Sequence, residues 1–210
     1  ILFKLKLRNI ILYLAVLCMF LTPILLHGQI YYDTGIIKAT GSWENELKEG
    51  QWVFYYPSGE RSSVENYKKD QLHGAAIYFD TVGHVIGEEN WINGVLEGKA
   101  AYYYVNGGIE KSGIYKSGVY DGIWKFYYTN GQLKREVRYV KGLLEGGWLY
   151  YNESGILIQK GFYDKGQETG NWQFYDDMGN LEYEGSYLNG ERTGMWHRIT
   201  KKGKKKPWKY

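Results

Sequence analysis

The chain has 210 residues, a formal net charge of +3, 18% aromatic side chains and a single cysteine, Cys18. One cysteine excludes a disulfide framework and a thiolate metal site. Nine of the 26 basic residues lie in residues 1–29 and 201–210, which hold no acidic residue, so 23 acidic residues outnumber 17 basic ones in between. An acidic body of this kind excludes nucleic acid as a partner.

Residues 1–29 have the pattern of a secretory signal peptide. Lys4, Lys6 and Arg8 precede an apolar run from Ile10 to Leu26, and the small residue Gly28 follows it. A positive segment, an apolar segment and a small residue at the exit are typical of export signals. We therefore expect an exported protein, in the periplasm, on the cell surface or outside the cell. The alternative is an uncleaved signal that leaves the chain anchored in the membrane.

Glycine recurs through the rest of the chain with a fixed period of 24 residues. The first series is Gly50, Gly74, Gly98, Gly122, Gly146, Gly170 and Gly194, and the second runs from Gly35 to Gly203. A third series runs from Gly94 to Gly190, with Glu46 and Asp70 in the earliest positions. A constant period of this length predicts a repeat architecture, in which each unit packs mainly on its neighbours.

Each repeat is predicted to be a β-hairpin. In the repeat that starts at Gly122, an aromatic-rich segment and the segment 133–139 have strand propensity. Asn130-Gly131 between them favours a tight turn, and a longer glycine-containing loop then leads to the next repeat. We predict an all-β fold over residues 30–200, an elongated and twisted single-layer antiparallel meander of about seven tandem hairpins. It would contain about 14 strands.

Alternation along the first strand of each hairpin separates two aromatic rows. Trp124 is expected on one face and Tyr127 on the other. The candidate binding residues are Tyr55, Phe79, Tyr103, Tyr127, Tyr151, Tyr175, Trp124, Trp148 and Trp172. The alternative is that these rings only stabilise the sheet by stacking. Ala76 and Ala100 replace tryptophan in two central repeats, which gives either a thinner contact or a shallow depression.

Catalysis and metal binding are not expected. Glu97, Asp121 and Glu145 share one repeat position, but that position lies in a solvated loop, which does not favour a catalytic carboxyl group. The histidines of the repeats occupy different positions, so they cannot form a row of metal ligands. We therefore predict no catalytic residue, no metal site and no cofactor.

The end of the chain, residues 201–210, forms a basic tail with six lysines. One interpretation is an unstructured, solubilising end. The other is a weak contact of the lysines and Trp208 with an anionic membrane or envelope surface.

The pattern Gly-x-Trp-x-Phe-Tyr-x-x-x-Gly-x-Leu, followed by Tyr-x-x-Gly-x-x-x-Gly, resembles the bacterial variant of the MORN repeat. The resemblance covers essentially all of residues 30–200. It implies a rod-like hairpin sheet without catalytic residues, used as an interaction scaffold. Related bacterial proteins are often labelled antitoxin components, and eukaryotic MORN proteins are linked to anionic lipids, which the acidic body here disfavours.

These features predict an exported, non-catalytic repeat scaffold whose partner is a protein. Two alternatives stay open. The first is a module that binds carbohydrate or cell-wall glycan, because choline-binding wall repeats also combine Gly-Trp with Tyr-Tyr. The second is an antitoxin-like role, which requires that the N-terminal segment does not export the chain.

Overall fold

The computed structural model describes residues 26–209. These residues form strands and turns, and no helix occurs among them. It follows that no helix in this range is long and apolar enough to cross a membrane. The predicted signal segment lies almost wholly outside the described residues and stays a prediction.

The all-β prediction is confirmed, with 18 strands instead of about 14. The strands are β1 Leu26–Tyr31, β2 Ile37–Glu44, β3 Leu47–Tyr55, β4 Arg61–Lys68, β5 Gln71–Phe79, β6 Val85–Ile92, β7 Val95–Leu96, β8 Gly98–Tyr103, β9 Ile109–Lys116, β10 Val119–Tyr127, β11 Leu133–Val140, β12 Leu143–Leu144, β13 Gly146–Tyr151, β14 Leu157–Asp164, β15 Gln167–Tyr175, β16 Leu181–Leu188, β17 Glu191–Ile199 and β18 Lys205–Trp208.

Except for β7–β8 and β12–β13, consecutive strands from β1 to β18 pair antiparallel, and together they make one meander. β7 and β8 are two pieces of one strand that both pair with β6, and β12 and β13 both pair with β11 in the same way. The two interruptions raise the strand count, and β1 and β18 extend the sheet beyond the predicted body.

The structure places the two turns of each repeat differently from the sequence prediction. The tight two-residue turns occur at the third glycine series, where Lys141 (φ 50°) and Gly142 (φ 82°) are both left-handed. Two left-handed residues in succession define the hairpin turn whose twist matches that of the strands. Asn130-Gly131 instead lies in a longer connection between Tyr127 and Leu133. The predictions for these two turns were therefore interchanged.

Glycines of the first series produce a local irregularity in each first strand. Gly122 has φ 68°, and the register of β10 on β9 shifts between Asp121 and Lys125. A glycine in the left-handed region that shifts the register is a β-bulge, which bends the strand and increases its twist. The spacing of this series therefore places one bend in every repeat.

The lysine-rich end is ordered, which corrects the expectation of an unstructured tail. β18 pairs with β17, with Trp208 opposite Trp196 and Lys205 opposite Ile199. The ring centroids of Trp208 and Tyr183 are 4.8 Å apart. Lys205 also forms an ion pair with Glu184. Ring packing and backbone pairing thus hold this segment on the sheet.

Candidate functional site

The sheet has two chemically different faces. Residues directly opposite each other in the ladder lie on the same face. The tryptophan face carries Trp52, Trp124, Trp148, Trp172 and Trp196, and the tyrosine face carries Tyr55, Phe79, Tyr103, Tyr127, Tyr151 and Tyr175. The six ring positions of the tyrosine face are called the tyrosine ladder below.

The tryptophans are the core of the molecule. Trp124 is 0% exposed, Trp172 3% and Trp148 8%. The rings of Tyr120 and Trp124 stack with centroids 3.8 Å apart, and the Arg135 guanidinium lies 4.1 Å from the centroid of Phe126. Because tyrosines, phenylalanines and cations cover the indoles, the three tryptophans among the predicted binding residues offer no surface to a ligand.

A glycine in the preceding strand makes room for most of these indoles. A Cβ atom placed on Gly113 would lie 2.3 Å from the ring of Trp124. The indole therefore lies against the backbone, and its Nε1–H donates to the carbonyl of Ile114 at 2.9 Å. Neither the aromatic pattern nor the three glycine series identified this contact, although its constant spacing of 11 residues was visible.

The repeats that lack tryptophan are filled by glutamate. Ala76 is 1% and Ala100 5% exposed, so the tryptophan face is not open at these positions. Glu65 and Glu89 both pair with Ala76 on the neighbouring strands. Of the two alternatives, the depression is therefore absent from this face, where carboxylates take the space that indoles occupy elsewhere.

Tyrosine hydroxyl groups donate hydrogen bonds to these carboxylates. The hydroxyl of Tyr67 donates to Glu65 Oε2 at 2.6 Å, and that of Tyr102 donates to Glu89 Oε1 at 2.6 Å. Burial raises the pKa of Tyr67 and of Tyr102, and the neighbouring carboxylates raise both pKa values further. Burial also raises the pKa of Tyr115, to about 12. The phenols are therefore held in their protonated, donating form.

The tyrosine ladder is half-buried along its whole length. Within residues 26–209 its rings make no stacking contact with one another, because a side chain of the returning strand lies between successive rings. These intervening side chains are Arg61, Val85, Ile109, Leu133, Leu157 and Leu181. Tyr103 donates its hydroxyl to Glu88 Oε2 at 2.9 Å, and Tyr175 donates to Gln173 Oε1 at 2.9 Å. The ladder thus alternates aromatic and mostly aliphatic surface.

The three carboxylates that share one repeat position, those of Glu97, Asp121 and Glu145, have a structural role. Glu97 accepts the backbone N–H of Ser117 at 2.7 Å, and Glu145 accepts that of Lys165 at 3.0 Å. Asp121 accepts the N–H of Lys141 at 3.3 Å. Each acid thereby caps the left-handed residue of the next tight turn. In the part of the chain that the structure describes, no three metal-binding side chains come together.

A hollow of about 460 Å³ lies in the tyrosine face between β6 and β10. Its floor includes Ala101 and Ser112, which lie directly opposite each other. The walls include Glu88, Lys99, Lys125 and Ile123. The sequence prediction did not include these residues, and only the two small side chains on the paired strands of one repeat could have indicated the hollow.

Comparison with known proteins gives a family match for three of the repeats. The model of the MORN repeat variant matches residues 48–69, 120–141 and 168–189. No curated protein matches the chain. A structure of the Photorhabdus luminescens Tc holotoxin pore is 13% identical over 84% of this chain and 12% of that chain, with a TM-score of 0.23. The crystal structure of TcdB2-TccC3-Cdc42 is 13% identical over 86% of this chain and 14% of that chain, with a TM-score of 0.18.

The chain thus spans about an eighth of the length of those two structures, and likenesses this weak carry no argument. The three family matches are separated by whole multiples of the 24-residue period. Each match covers the first strand of a repeat, the longer connection and the second strand, and ends at the first residue of the tight turn. Three of the repeats of this chain therefore match the MORN repeat variant, and the other hairpins follow the same 24-residue period.

Proposed function

We propose that the chain is a non-catalytic scaffold that captures a protein partner on its tyrosine face, at the cell envelope or outside the cell. The observation that carries this proposal is the tyrosine ladder, a row of half-buried rings on the face that the core does not use. A row of aromatic and aliphatic side chains that no other layer covers is typical of an interaction surface.

The spacing of the ladder favours an extended partner. Successive rings are separated by two strands, or about 10 Å. A partner segment that crosses the strands would therefore meet a ring at every hairpin and an aliphatic side chain between rings. Aromatic side chains dominate the binding energy of protein interfaces, which supports the ladder as the source of affinity.

The direct test is capture by the purified repeats. The bait should comprise residues 26–209, because β1 and β18 are integral strands of the sheet. Recovery of one protein in near-stoichiometric amount from envelope and secreted fractions supports the proposal. Recovery of no protein, with depletion of the bait onto insoluble wall material, contradicts it and favours the carbohydrate alternative.

Export is proposed from the charge and apolar pattern of residues 1–29 and needs its own test. Residues 1–45 fused to alkaline phosphatase should give an active enzyme, since this reporter requires an oxidising compartment. An inactive fusion that accumulates normally would contradict export. That outcome would favour the antitoxin-like alternative.

A further inference from the structure

We propose that the hollow on the tyrosine face is an anchor site for one carboxylate side chain, Asp or Glu, in an extended segment of the partner. This inference rests on the proposed function and adds the chemistry of the partner to it. The carboxylate lies between the ammonium groups of Lys99 and Lys125, and aliphatic neighbours in the segment pack on Ile114 and Ile123.

Two small side chains that coincide in register create the hollow. Ala101 and Ser112 lie opposite each other on β8 and β9. At the position of Ala101 the other repeats carry Val53, Ile77, Lys125, Leu149, Gln173 and His197, and at that of Ser112 they carry Thr40, Val64, Glu88, Glu136, Lys160 and Glu184. All of these residues are larger than Ala101 or Ser112, so among the repeats compared an opposed pair this small occurs in one repeat only.

Charge in the hollow favours an anion. Two ammonium groups and one carboxylate line it. That carboxylate, Glu88, accepts the hydroxyl of Tyr103 and is thereby held toward the ladder. Asp121, across Ile114 from Lys99, accepts the backbone N–H of Lys141 instead. Lys99 is exposed and has no ion-pair partner among residues 26–209.

Lys125 can exchange its present partner, Glu136, for a carboxylate of the bound segment. Its ammonium lies 3.0 Å from Glu136, but the two side chains are 48% and 45% exposed. Water screens an ion pair this exposed, so a bound carboxylate can replace Glu136 as the partner of Lys125. Lys99 and Lys125 lie on β8 and β10, two strands or about 10 Å apart, with the small floor between them. Two flexible stems can therefore close on one carboxylate.

The hollow opens onto the ladder, which links the two features. Tyr103 is a ladder residue, and its hydroxyl contacts Glu88 in the wall of the hollow. A partner segment that follows the ladder thus passes the hollow where it crosses β8, β9 and β10. The anchor sets the register of the segment, because among residues 26–209 the opposed Ala101 and Ser112 occur in one repeat only.

Peptide selection tests the anchor without knowledge of the partner. The full chain is used to select from a displayed library of random peptides, in parallel with the variant Lys99→Glu/Lys125→Glu. We expect wild-type binders to share one Asp or Glu flanked by aliphatic residues, and the variant to bind them at least about tenfold more weakly. Lys116→Glu/Lys160→Glu, which changes the same charge on exposed lysines outside the hollow, should bind them as wild type does.

Binders without an acidic position, equal binding by the charge-reversed variant, or no binders at all would each overturn the anchor. Circular dichroism establishes that all three proteins are folded. If the repeats capture a protein partner and the charge-reversed variant captures it equally well, the anchor fails and the scaffold stands. If no partner is captured by any form, the proposed function fails independently of the peptide result.

Discussion

At the scale of single residues, a pair of positions 11 residues apart determines how each repeat fills its part of the tryptophan face. Where the earlier position is glycine, the indole lies on the backbone, and an added Cβ would be 2.1–2.3 Å from the ring, at Gly41, Gly113, Gly161 and Gly185. Where it is Val137, Trp148 is 8% exposed and its Nε1–H donates to Gln159 instead of a backbone carbonyl. The size of one side chain therefore sets the depth of the next indole.

Substitution of Gly113 tests this coupling. Gly113→Ala should lower the free energy of unfolding by about 1–3 kcal/mol, because the new methyl group overlaps the buried ring of Trp124. Gly147→Ala is the matched control, since a Cβ atom added there would meet no atom within 4 Å and its φ is not left-handed. Urea unfolding measures both, and equal stability of the two variants would show that the indole does not lie against Gly113.

The phenol–carboxylate contacts predict a loss of stability at high pH. Burial and the nearby carboxylates raise the pKa of Tyr67, Tyr78 and Tyr102 above the ordinary value of 10.0. The folded state thus favours the protonated phenols, and its stability should be constant below about pH 10 and fall above it, where the unfolded phenols ionise.

Urea midpoints between about pH 8 and pH 11 measure this dependence. The variant Tyr67→Phe/Tyr102→Phe, which cannot ionise at two of the three sites, should show a shallower decline than the wild type. Identical declines in the two proteins would assign the loss of stability to other groups and contradict the role of these phenols.

At the scale of elements, the sequence predicted hairpins and their period but misassigned the turns. Asn130-Gly131 has the composition of a tight turn, yet the Asn130 side chain donates to the carbonyl of Glu153 and accepts the N–H of Gln132. These bonds stabilise a longer connection. Lys141 has φ 50° and donates its N–H to Asp121, and the N–H of Gly142 donates to the carbonyl of Tyr120. Contacts between repeats thus override local preference, and single-repeat reasoning does not include them.

The candidate site, like the turns, was predictable from the sequence only in part. Alternation correctly separated Trp124 from Tyr127, but it could not indicate which face is buried, because both rows are aromatic. That distinction depends on Gly113 and its equivalents, which remove side-chain volume on one face only. The hollow depends on the opposed pair of Ala101 and Ser112, which requires knowledge of the register between β8 and β9.

At the scale of the whole molecule, stability is a sum over neighbouring hairpins, because each strand pairs mainly with the strands next to it in the chain. The second strand of one repeat and the first strand of the next share the Gly–Trp contact. Removal of one whole period should therefore join two repeats whose facing strands can still make the Gly–Trp contact.

Deletion of residues 123–146, one full period of 24, should leave a folded protein with a lower free energy of unfolding. Trp148 would then lie opposite Gly113, in the place of Trp124. Deletion of residues 123–145 is the matched control, because a shift by one residue moves the following side chains of that strand to the other face. Circular dichroism and urea unfolding should show cooperative folding of the first protein and loss of it in the second; equal behaviour would contradict the shared register.

The claim that the tyrosine ladder captures a partner is tested most directly by removing two adjacent rings. Tyr127→Ser/Tyr151→Ser should lose at least about tenfold in affinity for the captured protein, since aromatic anchors contribute most of the binding energy of an interface. The backbone carbonyls of both residues still accept the hydroxyls of Tyr104 and Tyr128, so the sheet should stay folded.

The control is Val82→Ser/Val105→Ser, which removes apolar surface from two turn residues that are each 70% exposed. Biosensor titration of wild type and both variants against the captured protein is the measurement. We expect weak binding by the tyrosine variant and unchanged binding by the valine variant. Wild-type affinity in a folded tyrosine variant would contradict capture by the ladder.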